Sequence, residues 1–480
     1  MSKQQAFNPY LPGYEYVPDG EPYVVDGRVY IYGSHDKFNG SDFCINNYVC
    51  WSAPVDNLSN WECEGTIYGR TQDPCLPDAA SRRMFAPDMA RGCDGRFYLY
   101  YAFDFSGTIA VAVCDTPGGK YEYYGRVHYA DGTLLGTRPD DVFQYDPGVL
   151  ADNGRIYLAT GFCPMGKFRE RFSHLPKSIS DGGMIIELEK DMLTIKKEPA
   201  VVIPNPDFAS DTSFAQHAFF EAPSLRKINN RFYYIYSSEN SHELCYAISD
   251  YPDHGYVYGG VLISNGDIGY HGRTAPLNYT GTNHGSIECI NDRWYVFYHR
   301  QTNGNPYSRQ GCADPIEVWE NGYIPQTEMT SCGLNNGPLE AKGEYNATIA
   351  CALMSKNGAV PYTPKQQAAP EHPFFTQSGT DREESPDSYI TNMKDGAIAG
   401  YKYFDLNGAC TLTLTTRGTG TGRMLILTDP EAEPMALVPI WPSPGWQASS
   451  VRTSLPSGVS ALWFGYEGTG YIDFRCFSFS

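Results

Sequence analysis

Five ionisable residues recur at a nearly constant place in the chain and could meet in one site. Each lies eight to ten residues before an arginine that follows a short turn, and the five are Asp19, Asp88, Asp146, Glu221 and His284. Two or three carboxylates in one cleft suit glycoside hydrolysis, which needs a carboxylic acid of raised pKa and an ionised carboxylate opposite it. A third carboxylate nearby can raise the pKa of the acid by like-charge repulsion. A calcium-binding loop fits less well, because it would place carboxylates at alternate positions and the chain has no D-x-D-x-D run.

The elements that must position these residues are β-hairpins of one repeated type. Each has a short turn of Asp, Asn or Gly, then an arginine, then alternating aromatic and β-branched residues, a pattern typical of antiparallel strands. The copies are DGRVYIY from Asp26, DGRFYLYY from Asp94, NGRIYLA from Asn153, NNRFYYIY from Asn229 and NDRWYVFY from Asn291. Radial repetition of sheets turns the innermost strands toward one central channel. We therefore predict an all-β fold with a five-bladed β-propeller; the alternative is a chance recurrence of hairpins.

Composition and charge exclude several classes of protein. The chain has 480 residues and a net charge of −19, so neither nucleic acid nor an anionic membrane is an expected partner. The 37 Tyr, 48 Gly and 34 Pro favour strands and turns over helices. The N-terminal segment lacks the apolar stretch of a signal peptide. A cytoplasmic location with reduced cysteines is therefore expected, unless a signal segment has been removed.

The last third of the chain has a different pattern. The hairpin repeat stops near residue 340, and we place the domain boundary between residues 338 and 339, with a composition change over Pro361–Pro373. Short alternating runs with turns about every ten residues then predict a β-sandwich of jelly-roll type. Exposed tryptophans here, with Trp441, Trp446 and Trp463 as candidates, could stack on sugars. The alternative, which we favour, is that this module supports the propeller and closes the rim of its pocket.

Several motifs resemble those of glycoside hydrolase family 43, the five-bladed propeller enzymes that act on arabinose- and xylose-containing glycans. The segment YDPGVL is similar to the motif of the Asp that modulates pKa, which implies that role for Asp146. The segment EAPSL is similar to the general-acid motif, which implies that role for Glu221. The segment NHGSI resembles the metal-coordinating motif, so His284 is the implied ligand of an axial calcium ion. Arg309 occupies the place of a substrate-contacting arginine.

The catalytic base has two candidates. The family motif is an Asp-Pro pair at the first inner strand, whereas this chain reads Pro18-Asp19-Gly20-Glu21-Pro22. Asp19 has the same offset from its hairpin arginine as Asp146, and we prefer it as the base. Glu21 remains the alternative, because residues two apart in a strand share one face and both could reach the cleft. We assign Glu21, His35, Asp36, Asp88 and Arg309 to substrate binding.

The resemblance implies an inverting glycoside hydrolase that releases terminal arabinose or xylose from oligosaccharides. Asp19 would activate water, Glu221 would protonate the leaving oxygen, and Asp146 would keep Glu221 protonated. No organic cofactor is expected. The same acids could act on a galactoside or galactofuranoside, and a propeller that binds sugar without cleaving it is a further alternative.

Overall fold

Each repeated hairpin forms the first two strands of a small antiparallel sheet. In three of the five turns both central residues have positive φ, as at Asp26 with 48° and Gly27 with 79°. This is the backbone of a type I′ turn, whose twist matches that of the strands it joins. Five such sheets contact one another through their first strands, and they confirm the predicted five-bladed propeller.

The structure, a computed structural model, describes residues 5–170, 172–175, 179–360 and 371–480. Blade 1 contains β1 Glu21–Val25, β2 Arg28–Tyr32, β3 Tyr48–Pro54 and β4 Glu62–Tyr68. Blade 2 contains β5 Met84–Arg91, β6 Phe97–Phe103, β7 Ala110–Cys114 and β8 Glu122–Arg126. Blade 3 contains β9 Gly148–Asp152, β10 Arg155–Thr160, β11 Gly182–Leu188 and β12 Ile195–Pro204, with the short helix α1 Gly166–Glu170 before β11. Blade 4 contains β13 Phe219–Ile228, β14 Arg231–Ser238, β15 Glu243–Ser249 and β16 Val257–Ser264.

Blade 5 contains β17 Ile287–Ile290, β18 Arg293–Thr302 and β19 Asn305–Ile316. The N-terminal segment lies along the outer edge of β19, where the Asn8 side chain exchanges hydrogen bonds with the backbone of Ala313. The Tyr10 amide donates to the Gly311 carbonyl. The segment that leads into blade 1 is thereby attached to the last blade, which closes the ring.

The hydrophobic core of the propeller lies between neighbouring blades. Five buried clusters each combine residues of two adjacent blades, and tyrosines are prominent in them. Tyr100 in β6 and Tyr234 in β14 are both fully buried. Tyr100 donates its hydroxyl to the Met192 carbonyl of the next blade, because a buried phenol needs a hydrogen-bond partner. The excess of tyrosine is thus mainly a packing feature.

The C-terminal domain is a curled β-sheet that encloses one core. Its strands are β20 Leu339–Glu340, β21 Gly343–Asn346, β22 Ala352–Met354, β23 Phe374–Gln377, β24 Ser388–Met393, β25 Ile398–Gly418, β26 Thr421–Leu427, β27 Ala436–Ile440, β28 Ser443–Thr469 and β29 Ile472–Phe479. The long strands β25 and β28 pair along most of their length, and β25 also pairs with β29. Strands of this length bend the sheet around buried aromatic residues such as Phe404, Phe464 and Phe477.

The two domains meet through buried polar contacts. The ammonium group of Lys402 in β25 lies 2.8 Å from both Asp267 and Glu328 of the propeller side. Most of the Pro361–Pro373 segment, residues 361–370, lies outside the described residues. In the part of the chain that is described, no helix has the length and apolar character needed to cross a membrane.

Candidate active site

A cavity of about 370 Å³ lies where the innermost strands of the blades begin. Asp19 precedes β1, Asp146 precedes β9, Glu221 is near the start of β13 and His284 precedes β17. These four side chains, together with Arg309 of β19, line the cavity. Because equivalent ends of the inner strands surround one axis, residues from four blades converge at this site.

The backbone at the carboxylates departs from regular strand geometry. Asp19 and Asp146 have φ of 59° and 45°, and Ala222 beside Glu221 has φ of 65°. Asp tolerates this left-handed region better than most residues, but alanine does so rarely. The pairing of β13 with β14 also shifts register on either side of Glu221, as at a β-bulge, which re-aims a side chain. Backbone strain of this kind is concentrated at functional sites.

Asp19 is held as an ionised carboxylate. Its Oδ1 atom lies 2.8 Å from Arg309, 3.2 Å from His299 Nδ1 and 3.9 Å from His284 Nδ1. Burial by itself would raise the pKa of Asp19, but the charge of Arg309 and the neighbouring histidines outweigh it and hold the pKa well below its usual range. Asp19 is therefore an ionised carboxylate at neutral pH, the state that a general base requires.

Glu221 and Asp146 are held in the opposite state. Burial, and next the negative charge of Asp19, raise the pKa of Glu221 to about 8, against the opposing effect of Arg309. Burial and the charges of Glu221 and Asp19 raise the pKa of Asp146 well above its usual value. The two groups titrate as a pair, so the pair retains a proton near neutral pH. The Ala222 amide donates to the Asp146 carboxyl, which fixes its orientation beside Glu221.

Arg309 is fixed by a second carboxylate outside the cavity. Its Nε lies 2.8 Å from Asp36 Oδ2, and its Nη2 lies 3.1 Å from Asp36 Oδ1. This two-point contact orients the planar guanidinium, while the Phe43 ring lies 4.9 Å from the Arg309 Cζ atom. The structure thus places Asp36 behind Arg309 rather than in the cavity lining, where substrate contact was expected.

Glu21 and Asp88 also lie outside the cavity lining. Glu21 Oε2 lies 2.6 Å from Arg226 Nη2 and accepts from Ser224. Asp88 accepts from the Tyr23 hydroxyl and the Val149 amide, both at 2.6 Å. Contacts with the inner strands therefore hold both carboxylates away from the pocket. Of the two candidates for the base, the structure brings Asp19 and not Glu21 to the cavity.

His35 is likewise absent from the cavity lining. Its Nδ1 lies 2.8 Å from the Asn47 carbonyl, and its Nε2 lies 3.0 Å from Arg382 of the C-terminal domain. Burial and the charge of Arg382 lower the pKa of His35 to about 4. A neutral, buried imidazole between two domains has a structural role.

His284 lies in the cavity but has few metal-ligating neighbours. Its Nδ1 lies 3.9 Å from both Asp19 Oδ1 and Asp146 Oδ2. Burial lowers the pKa of His284 to about 4, so the imidazole is neutral and able to bind a metal ion. Asp146 Oδ1 is buried and has no hydrogen-bond partner within the described ranges. The unpaired Asp146 oxygen fits one oxygen ligand of a calcium site completed by water, and His284 would add a nitrogen ligand.

A second group of potential ligands lies in blade 4. Within the described residues, His217, Glu243 and Cys245 have ligand atoms within 4.8 Å of one another. The Glu243 carboxylate already accepts from His217, Ser238 and Asn240. This group is therefore satisfied by internal hydrogen bonds, and it does not coincide with His284.

Aromatic side chains form one wall of the cavity, a feature that the sequence motifs did not predict. The rings of Tyr145 and Phe162 lie 4.8 Å apart, and Phe85 is 5.0 Å from Tyr145. Phe220 lies 6.1 Å from Phe162. Tyr145 and Phe220 immediately precede Asp146 and Glu221 in the chain, so an aromatic residue before each acid was the available signal. The apolar wall accounts for the desolvation of both acids.

The sequence motifs also did not predict several polar residues of the site. His299 follows the hairpin motif in β18 and lies beside Asp19. Arg83 contacts Asp42, and its Nε lies 2.9 Å from Asp104; all three line the cavity. Asp42, Arg83 and Asp104 come from loops between strands, whose conformations a single sequence specifies poorly.

Comparisons with known proteins identify the family of the chain. The family model of Glycosyl hydrolases family 43 matches residues 8–324. A xylosidase/arabinosidase of Thermoclostridium stercorarium is 48% identical over 481 residues, and the match covers 99% of each chain. The structure of the GH43_1 enzyme from Xanthomonas citri complexed with xylose matches at 26% identity with a TM-score of 0.51, over 66% of this chain and 91% of that chain.

The likeness extends to a protein with both domains. A family 43 arabinoxylan arabinofuranohydrolase from Bacillus subtilis, solved in complex with cellotetraose, matches 98% of this chain and 97% of its own. The TM-score is 0.52 at 20% identity, which shows a shared fold. Since the family model covers well over half of the chain and a full-length relative is 48% identical, the chain belongs to glycosyl hydrolases family 43.

Proposed function

We propose that the protein is an inverting, exo-acting glycoside hydrolase that releases terminal xylose or arabinose from oligosaccharides. The observation that carries this proposal is the opposite protonation of two carboxyl groups in one cavity. Asp19 is ionised beside Arg309, whereas Glu221 has a raised pKa beside the aromatic wall. Two carboxyl groups with pKa values pushed apart are the requirement for a base and an acid in glycoside hydrolysis.

The mechanism assigns one step to Asp19 and one to Glu221. Asp19 removes a proton from a water molecule, which attacks the anomeric carbon from the face opposite the leaving group. Glu221 donates its proton to the glycosidic oxygen as the bond breaks. Asp146 holds Glu221 in place and shares the proton of the pair. Direct displacement by water inverts the anomeric configuration.

The shape of the cavity supports exo action. Asp42 lies in the loop between blade 1 strands β2 and β3, and Arg83 immediately precedes β5 of blade 2. Their ion pair joins the two loops at the wall of the cavity, and Asp104 holds Arg83 from the other side. A wall closed in this way favours a pocket that takes the end of a chain over a groove that takes its middle.

The pentose specificity is supported by the relatives. The 48% identical protein is described as a xylosidase/arabinosidase, and the Xanthomonas citri enzyme was solved with xylose. The galactoside alternative is not favoured, since a full-length relative at 48% identity carries a pentosidase name. A propeller that only binds sugar would have no need for an acid and a base held in opposite protonation states.

A calcium ion near His284 is a separate part of the proposed function. His284 and Asp146 are the residues that would hold it, with water completing the shell. Such an ion would supply positive charge beside the carboxylates of the pocket. An ion held by Asp146 would favour the ionised form of that carboxyl group, so the proton of the pair would then lie on Glu221.

The test is a kinetic comparison of leaving groups. Wild type, Glu221→Gln and Asp19→Asn are assayed on 4-nitrophenyl xyloside, arabinofuranoside and galactoside, and on xylobiose. We expect pentoside activity, and a much larger loss for Glu221→Gln on xylobiose than on the nitrophenyl glycosides, because a poor leaving group needs the acid most. Asp19→Asn should lose activity on both kinds of substrate. NMR of the first-formed anomer checks inversion.

Two results would contradict the proposal. One is hydrolysis of hexosides with none of the pentosides. The other is near wild-type cleavage of xylobiose by Glu221→Gln. Glu187→Gln is the matched control, since Glu187 lies in β11 and pairs with Arg155 and Lys196 outside the cavity lining.

A further inference from the structure

One loop of the C-terminal domain reaches the propeller next to the active site. It connects β23 to β24, and two successive residues of it, Asp381 and Arg382, make its polar contacts with the propeller. Arg382 lies 3.0 Å from Glu15 and 3.0 Å from His35 Nε2. Glu15 is buried and also accepts from the Trp51 indole at 2.8 Å. Arg382 therefore anchors the tip of the loop in a buried polar site.

Asp381 contacts both ends of a propeller loop. Its Oδ1 accepts from the Phe38 amide at 2.6 Å, and its Oδ2 accepts from the Asn46 side chain at 3.0 Å. The same Asn46 side-chain nitrogen lies 2.9 Å from the Asp36 carbonyl. One carboxylate thus connects the two ends of residues 36–46, which we call the clamp loop.

The clamp loop carries the groups that fix Arg309. Asp36 accepts from the Arg309 side chain at two positions, and the Cys44 amide donates to Asp36 at 2.9 Å. Phe43 packs against the Arg309 guanidinium. Arg309 in turn contacts Asp19. A continuous set of hydrogen bonds therefore runs from the C-terminal domain to the candidate base.

We propose that Asp381 is a positioning residue for catalysis, which holds the clamp loop and through it the Arg309–Asp19 pair. The C-terminal domain then contributes to catalysis and does not only stabilise the fold. This inference rests on the proposed function for its effect on catalysis, but not for the contact itself. Small displacements of a base from its attack position cost large factors in rate.

Two variants and a matched control test the role of Asp381. Asp381→Ala removes both acceptors, whereas Asp381→Asn keeps one acceptor for the Phe38 amide. Asp387→Ala is the control, because Asp387 ends the same loop but its side chain contacts Trp446 and Arg475 within the C-terminal domain. Each full-length protein is examined by kinetics and by hydrogen exchange of the clamp loop.

The expected kinetic result is a loss in kcat. Asp381→Ala should lower kcat about tenfold or more, because the base is misplaced. KM should rise by a smaller factor, since the clamp loop also carries Asp42 and Phe43 of the cavity lining. Asp381→Asn should recover part of that loss, and Asp387→Ala should match wild type. Equal losses in Asp381→Ala and Asp387→Ala, or a change in KM alone, would overturn the proposal.

Hydrogen exchange separates this inference from the proposed function. Amides of residues 36–46 should exchange faster in Asp381→Ala than in wild type and in Asp387→Ala. Unchanged exchange would overturn the inference even if the enzyme is active. If the wild type cleaves no glycoside, the proposed function fails. Faster exchange in Asp381→Ala would still show that Asp381 holds the clamp loop.

Discussion

At the scale of single residues, the three carboxyl groups of the cavity differ because their neighbours differ. Asp19 faces Arg309 and two histidines, so the charged form is favoured. Glu221 borders an aromatic wall, so the neutral form is favoured. Two carboxyl groups thus serve as base and acid at the same pH, because the environment of each group, and not its residue type, decides its pKa.

The raised pKa of Glu221 predicts an alkaline limit to activity. The acid must be protonated to act, and its pKa is raised to about 8, so kcat/KM should fall about tenfold per pH unit above that value. Asp19 has a lowered pKa, so it stays ionised on the acidic side. A pH profile of kcat/KM on a stable pentoside checks this. A rate that keeps rising above pH ~9 would contradict Glu221 as the acid.

Replacing Arg309 should move the acidic limit. In Arg309→Gln the positive charge is lost while burial remains, so the pKa of Asp19 should rise and activity should be lost at a higher pH than in wild type. Arg309→Lys keeps the charge without the two-point geometry, and its acidic limit should lie in between. The measurement is the pH of the acidic limit in a profile of kcat/KM. The rate itself is not used, because both variants also lower it. An unchanged limit would show that Arg309 does not control Asp19.

Removal of metal tests the calcium part of the function. If His284 and Asp146 hold calcium, treatment with a chelator should lower the thermal midpoint of the wild type, and added calcium should restore it. His284→Ala should have a lower midpoint that calcium does not change. Differential scanning fluorimetry gives this result without an activity assay. A wild-type midpoint that is indifferent to both chelator and calcium would exclude the ion.

At the scale of elements, irregular starts of inner strands create the site. Three carboxyl groups are directed toward one cavity by left-handed residues before β1 and β9 and by the register shift in β13. Regular strands would alternate these side chains between faces. Close packing of the inner strands then sets the spacing between the carboxyl groups.

Gly148 shows how tightly the inner strands pack. A methyl group on Gly148, the first residue of β9, would lie 2.3 Å from the Pro223 carbonyl of β13. Gly148→Ala should therefore push β9 from β13, separate Asp146 from Glu221, and cost about 1–3 kcal/mol in the free energy of unfolding. Activity should fall further than stability alone explains. Chemical denaturation measures the free energy of unfolding, and kcat/KM measures the activity.

The control for this substitution is Gly445→Ala in β28. No atom lies within 4 Å of a methyl group there, so stability and activity should both match wild type. Equal effects of the two substitutions would refute the packing argument.

At the scale of the whole molecule, the two domains share buried charges. Lys402 lies between Asp267 and Glu328, and its side chain and that of Asp267 are almost fully buried. Arg382 and Asp381 add a second polar contact next to the active site. The domains should therefore unfold together, with one thermal transition.

Lys402→Met tests this coupling. The substitution leaves Asp267 buried without its cation, and loss of one partner of a buried pair costs about 3–5 kcal/mol. Lys356→Met is the control: Lys356 is exposed and lies 3.5 Å from Asp395, and such a surface pair is worth about 0–1 kcal/mol. Calorimetry should show a lower midpoint for Lys402→Met alone. Equal midpoints for the two variants would refute a structural role for the buried pair.

The sequence alone determined the architecture, because the repeated turn chemistry recurs five times at similar strand patterns. Asp-Gly and Asn-Gly turns and alternating aromatic residues are local signals, so they predict hairpins without knowledge of long-range contacts. The nearly constant offset of five upstream residues then predicted one shared site. The structure brings four of them together, Asp19, Asp146, Glu221 and His284, but not Asp88.

The tertiary structure decided what each polar group does. Glu21 and Asp88 lie within inner strands, where Arg226 and Tyr23 engage them away from the cavity. Asp36, near His35 in the chain, supports Arg309 instead of lining the pocket. The contacts of Asp381 and Arg382 join residues more than 300 positions apart. Such pairings depend on how blades and domains pack, and no local pattern in the sequence records them.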